Sequence, residues 1–441
     1  MKAITPDMTT KFDKQFQANN KQQALQRAVV KNGITASAEN ISAHVANTPV
    51  FSIDLATGKV ANQMQSGRCW MFAALNTFRH KMLNQFHLKE FELSQNYTFF
   101  WDKYEKANYF YENIIATGKE AIDSRKVAFL LTTPQQDGGQ WDMIVSLFQK
   151  YGVVPKSVMP ESANSSNSRD LNNYLNKLLR KDAVVLREMV AQGETLDAIE
   201  EKEEMLESIY NFLAISLGTP PKEFDFEYRD EEQNYHLDRG LTPQIFYDKY
   251  IGVKLDDYVS VINAPTKDKP FNRSYTVEML GNVVGGKEVK YLNVDMETFK
   301  KLAIAQLEQG ESVWFGCDVG QSSTRTSGIM ALDAYSMDDL FDTDFTMTKA
   351  ERLDFGESLM THAMVLTGVD LVDGQSTKWK VENSWGEKVG KNGFFVMSDA
   401  WMDEYTYQIV VRKDLLTKEQ LNAFNEEPIV LAPWDPMGAL A

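Results

Sequence analysis

Cys69 is the residue from which chemistry can start. It stands in the stretch Gln63-Met64-Gln65-Ser66-Gly67-Arg68-Cys69-Trp70, and Trp70, Met71, Phe72, Ala73, Ala74, Leu75 and Phe78 follow. A run so apolar cannot face water on any side, so the pattern predicts a buried helix with Cys69 in its first turn. Ser66-Gly67 offers an N-cap and a flexible turn before it. At a helix start, unpaired N–H groups and the positive end of the dipole favour thiolate over thiol, and the thiolate is the nucleophile. Gln63, six residues upstream, carries an amide able to donate to a developing oxyanion. Most free cysteines, however, are inert buried hydrophobes, so Cys69 alone carries no assignment.

A thiolate that attacks a carbonyl needs a base that later returns the proton to the leaving group, and a third group to orient that base. The chain has five histidines. His44, His80, His87 and His236 lie in charged or helical contexts that read as surface positions. His362, in Met360-Thr361-His362-Ala363-Met364-Val365-Leu366, stands at the mouth of an apolar strand, where a satisfied core histidine is the ordinary reading. Asn383 follows in Val381-Glu382-Asn383-Ser384-Trp385-Gly386. Its side-chain oxygen can hold the ring in the productive tautomer, and Trp385 can shield that bond from water. Gly138-Gly139, just before a helical stretch, would let an extended peptide lie against bare backbone, although a plain turn is the default reading of the pair.

Gln63-x5-Cys69-Trp70, Gly138-Gly139, His362-Ala-Met-Val-Leu-Thr-Gly and Asn383-Ser-Trp-Gly together resemble the matching segments of papain-like cysteine peptidases, in the same order. Ser66-Gly67-Arg68-Cys69-Trp70 lacks the first, disulfide-forming cysteine of the papain and cathepsin motif. It is similar instead to the bleomycin hydrolase and aminopeptidase C family, and that resemblance covers essentially the whole chain. The resemblance implies a papain-like α+β fold, with a helical left half carrying Cys69 and a β-barrel-like right half carrying His362 and Asn383. It implies that Cys69 attacks, His362 shuttles the proton, Asn383 orients the ring, Gln63 and the Cys69 N–H form the oxyanion hole, and the Gly138-Gly139 backbone pairs with substrate. It further implies a homohexamer whose sites face an inner channel. The tail, ending Met437-Gly438-Ala439-Leu440-Ala441, resembles the family's C-terminal arm, in which the Ala441 carboxylate would meet the free α-amine of a peptide and make the enzyme an aminopeptidase. An oligoendopeptidase of the same family, differing only in how tail or cleft limits the substrate, stays open. So does a nucleic-acid-binding member.

The elements that must position these residues are readable in outline. A helical segment over about 8–32 carries Phe12, Phe16, Leu25 and Val29 on one face, and Val50–Asp54 reads as a short strand. Ser94 can cap a second helix. Leu171, Leu175, Leu178, Leu186 and Met189 mark one helix of a polar block, and Ile199, Leu206, Ile209 and Leu213 mark another. This block helps separate Cys69 from His362 by 293 residues, against roughly 130–150 in papain. Strands follow at about 258–262, 275–278 and 290–294, then a helix over 296–309 and a buried strand over 312–319 whose Cys317 reads as an inert core thiol. With the resemblance, which implies that the insertion builds the oligomer and the tail forms an arm, the chain is expected to divide into 1–160 with the nucleophile, a helical insertion over 161–245 for oligomerisation, a β-rich half over 246–427 and the arm over 428–441.

Composition narrows the function classes. With 441 residues and 43% hydrophobic content, a sizeable core is available. Two cysteines make no disulfide framework and fit a reducing compartment. The N-terminus lacks the apolar stretch of a signal peptide and no run of about 18 apolar residues exists, so a cytoplasmic location is expected. A net charge of −16 disfavours nucleic acid and anionic membrane as partners. The histidines are scattered without His-x3-His or Cys-x2-Cys spacing, so neither a metal nor an organic cofactor is expected.

Overall fold

The computed structural model describes residues 1–439. The apolar run after Cys69 folds as the helix Cys69–Gln85, and Trp70, Met71, Phe72 and Ala74 are wholly buried in it. Each large side chain so buried contributes about 1.5–3 kcal/mol relative to exposure, which is why a helix apolar on every side belongs at the centre of a layer. Around it pack Gln95–Ala116 and Trp141–Tyr151. Ser94 caps the first of these as its sequence position predicts, its Oγ accepting from the Tyr97 N–H at 3.0 Å. Gly152 ends the second at φ +66°, where an added Cβ would lie 2.4 Å from the Pro243 carbonyl carbon.

The two striped helices of the polar block form as Arg169–Gln192 and Thr195–Leu217. They pack on each other and on Gln95–Ala116, burying Leu171, Leu175, Leu186, Ile209 and Leu213 in the same core as Trp70. The block closes in an antiparallel hairpin, Phe224–Arg229 with Tyr235–Leu241, of which the helical spacing gives no sign.

The second half is a twisted sheet. Its spine runs, in order of neighbours, Tyr258–Ile262, Thr406–Arg412, Val313–Cys317, His362–Val372, Gln375–Glu382 and Phe394–Ser398, every adjacent pair antiparallel. Alternation along the His362 strand sends Ala363 and Val365 into the core shared with the Cys69 helix, and Met364 and Leu366 into a second core closed by the helix Met296–Glu308. The Cys69 helix thus lies directly against the strand that begins with His362.

The N-terminal segment departs from expectation. It is two helices, Pro6–Gln17 and Asn20–Asn32, because Asn19 accepts from the Gln22 N–H at 3.1 Å and caps a new start. Phe16, Leu25 and Val29 are half-buried and Phe12 is exposed, so the apolar face predicted for packing is only partly covered within the described chain. Among the described residues, no helix is long and apolar enough to cross a membrane.

Candidate active site

Cys69 opens its helix as the sequence predicts, but Ser66 does not cap it. Arg68 takes the N-cap position without a side-chain cap bond. Ser66 instead donates to the Gln63 carbonyl at 2.7 Å and accepts from Arg68 Nε at 2.8 Å. The Arg68 guanidinium, wholly buried, grips Glu161 with two bonds of 3.1 and 2.8 Å and lies over the Phe72 and Phe99 rings. Together these bonds tie down the loop that delivers the thiol to the helix start.

The residues singled out from sequence converge. His362 Nε2 lies 2.9 Å from Asn383 Oδ1, and the Trp385 ring packs on the imidazole with centroids 4.8 Å apart. That bond occupies Nε2, so Nδ1 is the nitrogen left for a thiol. The backbone N–H groups of Ala363, Trp70 and Cys69 itself lie near the Cys69 sulfur and favour its charged form. Since Ala363 follows His362 directly, the sulfur lies beside the histidine's own backbone. Gln63 is fixed at both ends of its amide: Oε1 accepts from Ser384 Oγ at 3.0 Å, and Nε2 donates to the Ser66 carbonyl at 2.7 Å. Its backbone N–H donates to the Ser384 carbonyl at 2.8 Å. A primary amide has two donors, so one N–H of Gln63 remains for an oxyanion.

Burial dominates the electrostatics. It pushes the Cys69 thiol up to about 11, the N–H groups that point at the sulfur offsetting only part of the cost. It also pushes His362 down to about 4; the Asn383 bond works against that shift and the charge of Arg325 adds to it. Desolvation therefore works against the helix start that favours thiolate, and it favours the neutral form of both groups. A neutral imidazole is the form that can accept the proton.

Gly138-Gly139 precedes the helix Trp141–Tyr151, with Gln140 at its N-cap position. A Cβ on Gly139 would stand 2.5 Å from Trp70 Cε2, so glycine is required there by the indole. Trp70 Nε1 donates to the Asp137 carbonyl at 2.7 Å, and Lys106 Nζ donates to the Gly138 carbonyl at 2.7 Å. The tail reaches this loop: the Gln140 side chain donates to the Ala439 carbonyl at 2.7 Å, and Tyr291 Oη to the Met437 carbonyl at 3.2 Å. Further back, Asp435 pairs with Lys269 at 2.8 Å. Ala441, the expected amine partner, lies outside the described residues.

Other contributors escape sequence reading. Asp137 accepts from the Gly67 N–H at 2.9 Å, from Lys103 at 2.7 Å and from Asn172 at 2.8 Å, so it joins the loop before Cys69 to the Gly138-Gly139 loop. Burial alone would raise Asp137; Lys103, Ser168 and Asn172 outweigh it and hold the carboxyl well below the usual range. Ser384 is the other omission, although it sits inside a motif already marked. His80, read as a surface position, is buried between Glu382 and Ser312. Cys317 is wholly buried, as read, and lies opposite His362 in register on the neighbouring strand. No cluster of three metal-ligating side chains occurs among the described residues.

Comparison with known proteins identifies the family. The profile of the Peptidase C1-like family matches residues 3–438. Aminopeptidase C of Streptococcus thermophilus is 62% identical over 443 residues, covering 100% of both chains. Aminopeptidase C of Listeria monocytogenes is 57% identical, covering 99% of both. A crystal structure of PepW from Lactobacillus rhamnosis HN001 superposes with a TM-score of 0.98 at 63% identity, covering 100% of this chain and 99% of that one. The chain belongs to the Peptidase C1-like family, as a cysteine aminopeptidase of its papain-like bleomycin hydrolase and aminopeptidase C branch.

Proposed function

We propose that Cys69, His362, Asn383 and Gln63 carry this aminopeptidase reaction. His362 Nδ1 takes the Cys69 proton as the sulfur attacks the scissile carbonyl. The oxyanion is met by the Gln63 amide and the Cys69 backbone N–H. The imidazolium then returns its proton to the leaving amine, and His362 next draws a proton from the water that resolves the acyl-enzyme, restoring the thiol. Asn383 keeps Nε2 occupied, so that Nδ1 alone faces this work. The observation that carries the reading is the join at His362: its Nε2 is held by Asn383 at 2.9 Å, and the strand it opens lies directly against the Cys69 helix. Cys69→Ala should abolish peptide hydrolysis and Cys317→Ala should spare it, with iodoacetamide labelling Cys69 first. Hydrolysis persisting in Cys69→Ala would end the assignment.

Selectivity for a free N-terminus we assign to the C-terminal arm, with Ala441 as partner of the substrate amine and Gly138-Gly139 as the backbone rail beside it. The anchoring of Ala439 by Gln140 supports this, because Gln140 follows that rail directly. Assembly as a homohexamer is supported by the two N-terminal helices, whose Met8, Phe12 and Val30 stay exposed in the single chain. Sedimentation before and after removal of residues 1–32 tests it. Two free cysteines, both buried, fit a cytoplasmic setting. The block 161–245 is assigned to the same assembly.

A further inference from the structure

Glu382 is a buried carboxylate that the mechanism above leaves unused. It is 1% exposed and directly precedes Asn383 in the strand Gln375–Glu382. Its Oε1 accepts from Arg79 Nη2 at 2.6 Å, and its Oε2 lies 2.8 Å from His80 Nε2; His80 Nδ1 in turn lies 3.0 Å from Ser312 Oγ. Arg79 and His80, 3% and 5% exposed, both belong to the Cys69 helix. They stand about three turns beyond the nucleophile, roughly 15 Å at 1.5 Å per residue. One carboxylate thus fastens the nucleophile helix to the strand whose next residue holds the imidazole.

An ion pair this deeply buried is a poor source of stability, because desolvation cancels most of the attraction and apolar side chains of the same volume serve as well. What it adds is direction. Thiol and imidazole lie on different elements, and apolar packing between helix and sheet tolerates a small slide that two directional bonds to one carboxylate do not. Reaction rates are sensitive to such slides, about 1 Å of misplacement costing on the order of 10²-fold.

We propose that Glu382, gripped by Arg79 and His80, is a positioning residue that locks the Cys69 helix to the Asn383 strand so that thiol and imidazole meet in reacting geometry. The proposal rests on the assignment of Cys69, His362 and Asn383 above. Its test compares Glu382→Gln, Arg79→Lys and the double variant Arg79→Met/Glu382→Met for Tm, kcat, KM and the pH dependence of Cys69 alkylation. The double variant removes both charges without leaving one alone; it should keep a Tm near the parent, lose at least tenfold in kcat with KM within twofold, and show a displaced alkylation profile. Arg79→Lys, which keeps the charge with fewer donors, should recover most of kcat. Parental kcat and an unchanged alkylation profile in the double variant would overturn the proposal. If the double variant does not fold, Glu382→Gln decides by the same readouts. Cys69→Ala, run in parallel, judges the catalytic assignment separately: activity surviving there defeats that assignment, whatever Glu382 does.

Discussion

Asn383 Oδ1 accepts two hydrogen bonds at once, from His362 Nε2 at 2.9 Å and from the Ser384 N–H at 2.7 Å. The second bond fixes the amide so that its oxygen, not its nitrogen, faces the ring. The ring is then held from one side by an acceptor and from its face by Trp385, which itself lies under the Arg325 guanidinium at 4.5 Å. Orientation of the base is built into the short segment 383–385 rather than gathered from distant loops.

The pH dependence follows from the two shifts. His362, pushed down to about 4, must be neutral to take the thiol proton, so kcat/KM should fall only as pH drops toward 4, well below the ordinary range for histidine. Cys69, pushed up to about 11, sets the alkaline limb, since loss of its proton leaves none to return to the leaving amine. The expected profile is a broad bell whose limbs belong to the pair. Stability follows the same groups. Between about 6.5 and 4 the unfolded chain binds the His362 proton and the folded chain does not, so folding weakens as pH falls through that window. Between about 9 and 11 the unfolded chain loses the Cys69 proton first, so folding weakens as pH rises. Asn383→Ala removes the bond that holds the imidazolium up, and should move the acid limb lower while cutting kcat roughly tenfold to a hundredfold. A rate rising monotonically to pH 10 with no acid limb would point to another base.

Much of this was legible in the residues, and the omissions share a cause. Cys69, His362, Asn383 and Gln63 announce themselves because each sits in a local pattern: an all-apolar helix, a strand mouth, an Asn-Ser-Trp-Gly turn. Asp137 and Glu382 do not, because their partners, Gly67 and Lys103 for one and Arg79 and His80 for the other, are remote in sequence and meet only after folding. His80 was misread for the same reason, since a histidine in a helix of mixed residues carries no mark of the carboxylate that will bury it. The burial that works against the Cys69 thiolate has no local mark either, because the depth of a side chain belongs to the finished fold. The hairpin over 224–241 escaped because its strand Tyr235–Leu241 is largely exposed and lacks a buried alternation.

Gln63→Ala should lower kcat by about 10²–10³-fold with little change in KM, because its free N–H is aimed at charge that exists only in the transition state. The residue is held by Ser384, so Ser384→Ala should give a smaller loss of the same kind, its oxygen no longer fixing which way the amide points. Steady-state kinetics on one fluorogenic amino-acid amide check both. A raised KM with kcat unchanged would place Gln63 in substrate binding instead.

Gly139→Ala should destabilise the fold by about 1–3 kcal/mol. The added methyl would stand 2.5 to 2.7 Å from three atoms of the Trp70 indole. The ring cannot retreat: it is wholly buried, its Nε1 is bonded to the Asp137 carbonyl, and the Trp70 carbonyl accepts from Trp314 Nε1 at 3.0 Å. Because Trp70 adjoins Cys69, the strain should also lower kcat. Thermal unfolding at neutral pH measures the first effect, and a parental Tm would show that the loop moves freely.

On the proposed reading, the tail decides between removal of N-terminal residues and internal cleavage. Its described part is anchored in series, by Lys269 at Asp435, Tyr291 at Met437 and Gln140 at Ala439, and the last anchor directly follows Gly138-Gly139. If the segment beyond Ala439 continues along that rail, it fills the non-primed side of the cleft and its carboxylate attracts a protonated α-amine. N-acetylated peptides should then be poor substrates for the full chain. Deleting Met437 to Ala441 should weaken cleavage of free-amine substrates and admit blocked or internal bonds, while Cys69 alkylation stays unchanged. Gln140→Ala removes only the last anchor and should shift the preference in the same direction by less. Measuring free and N-acetylated versions of one fluorogenic peptide on all three proteins separates the outcomes. An unchanged preference after deletion would assign selectivity to the cleft walls instead of the arm.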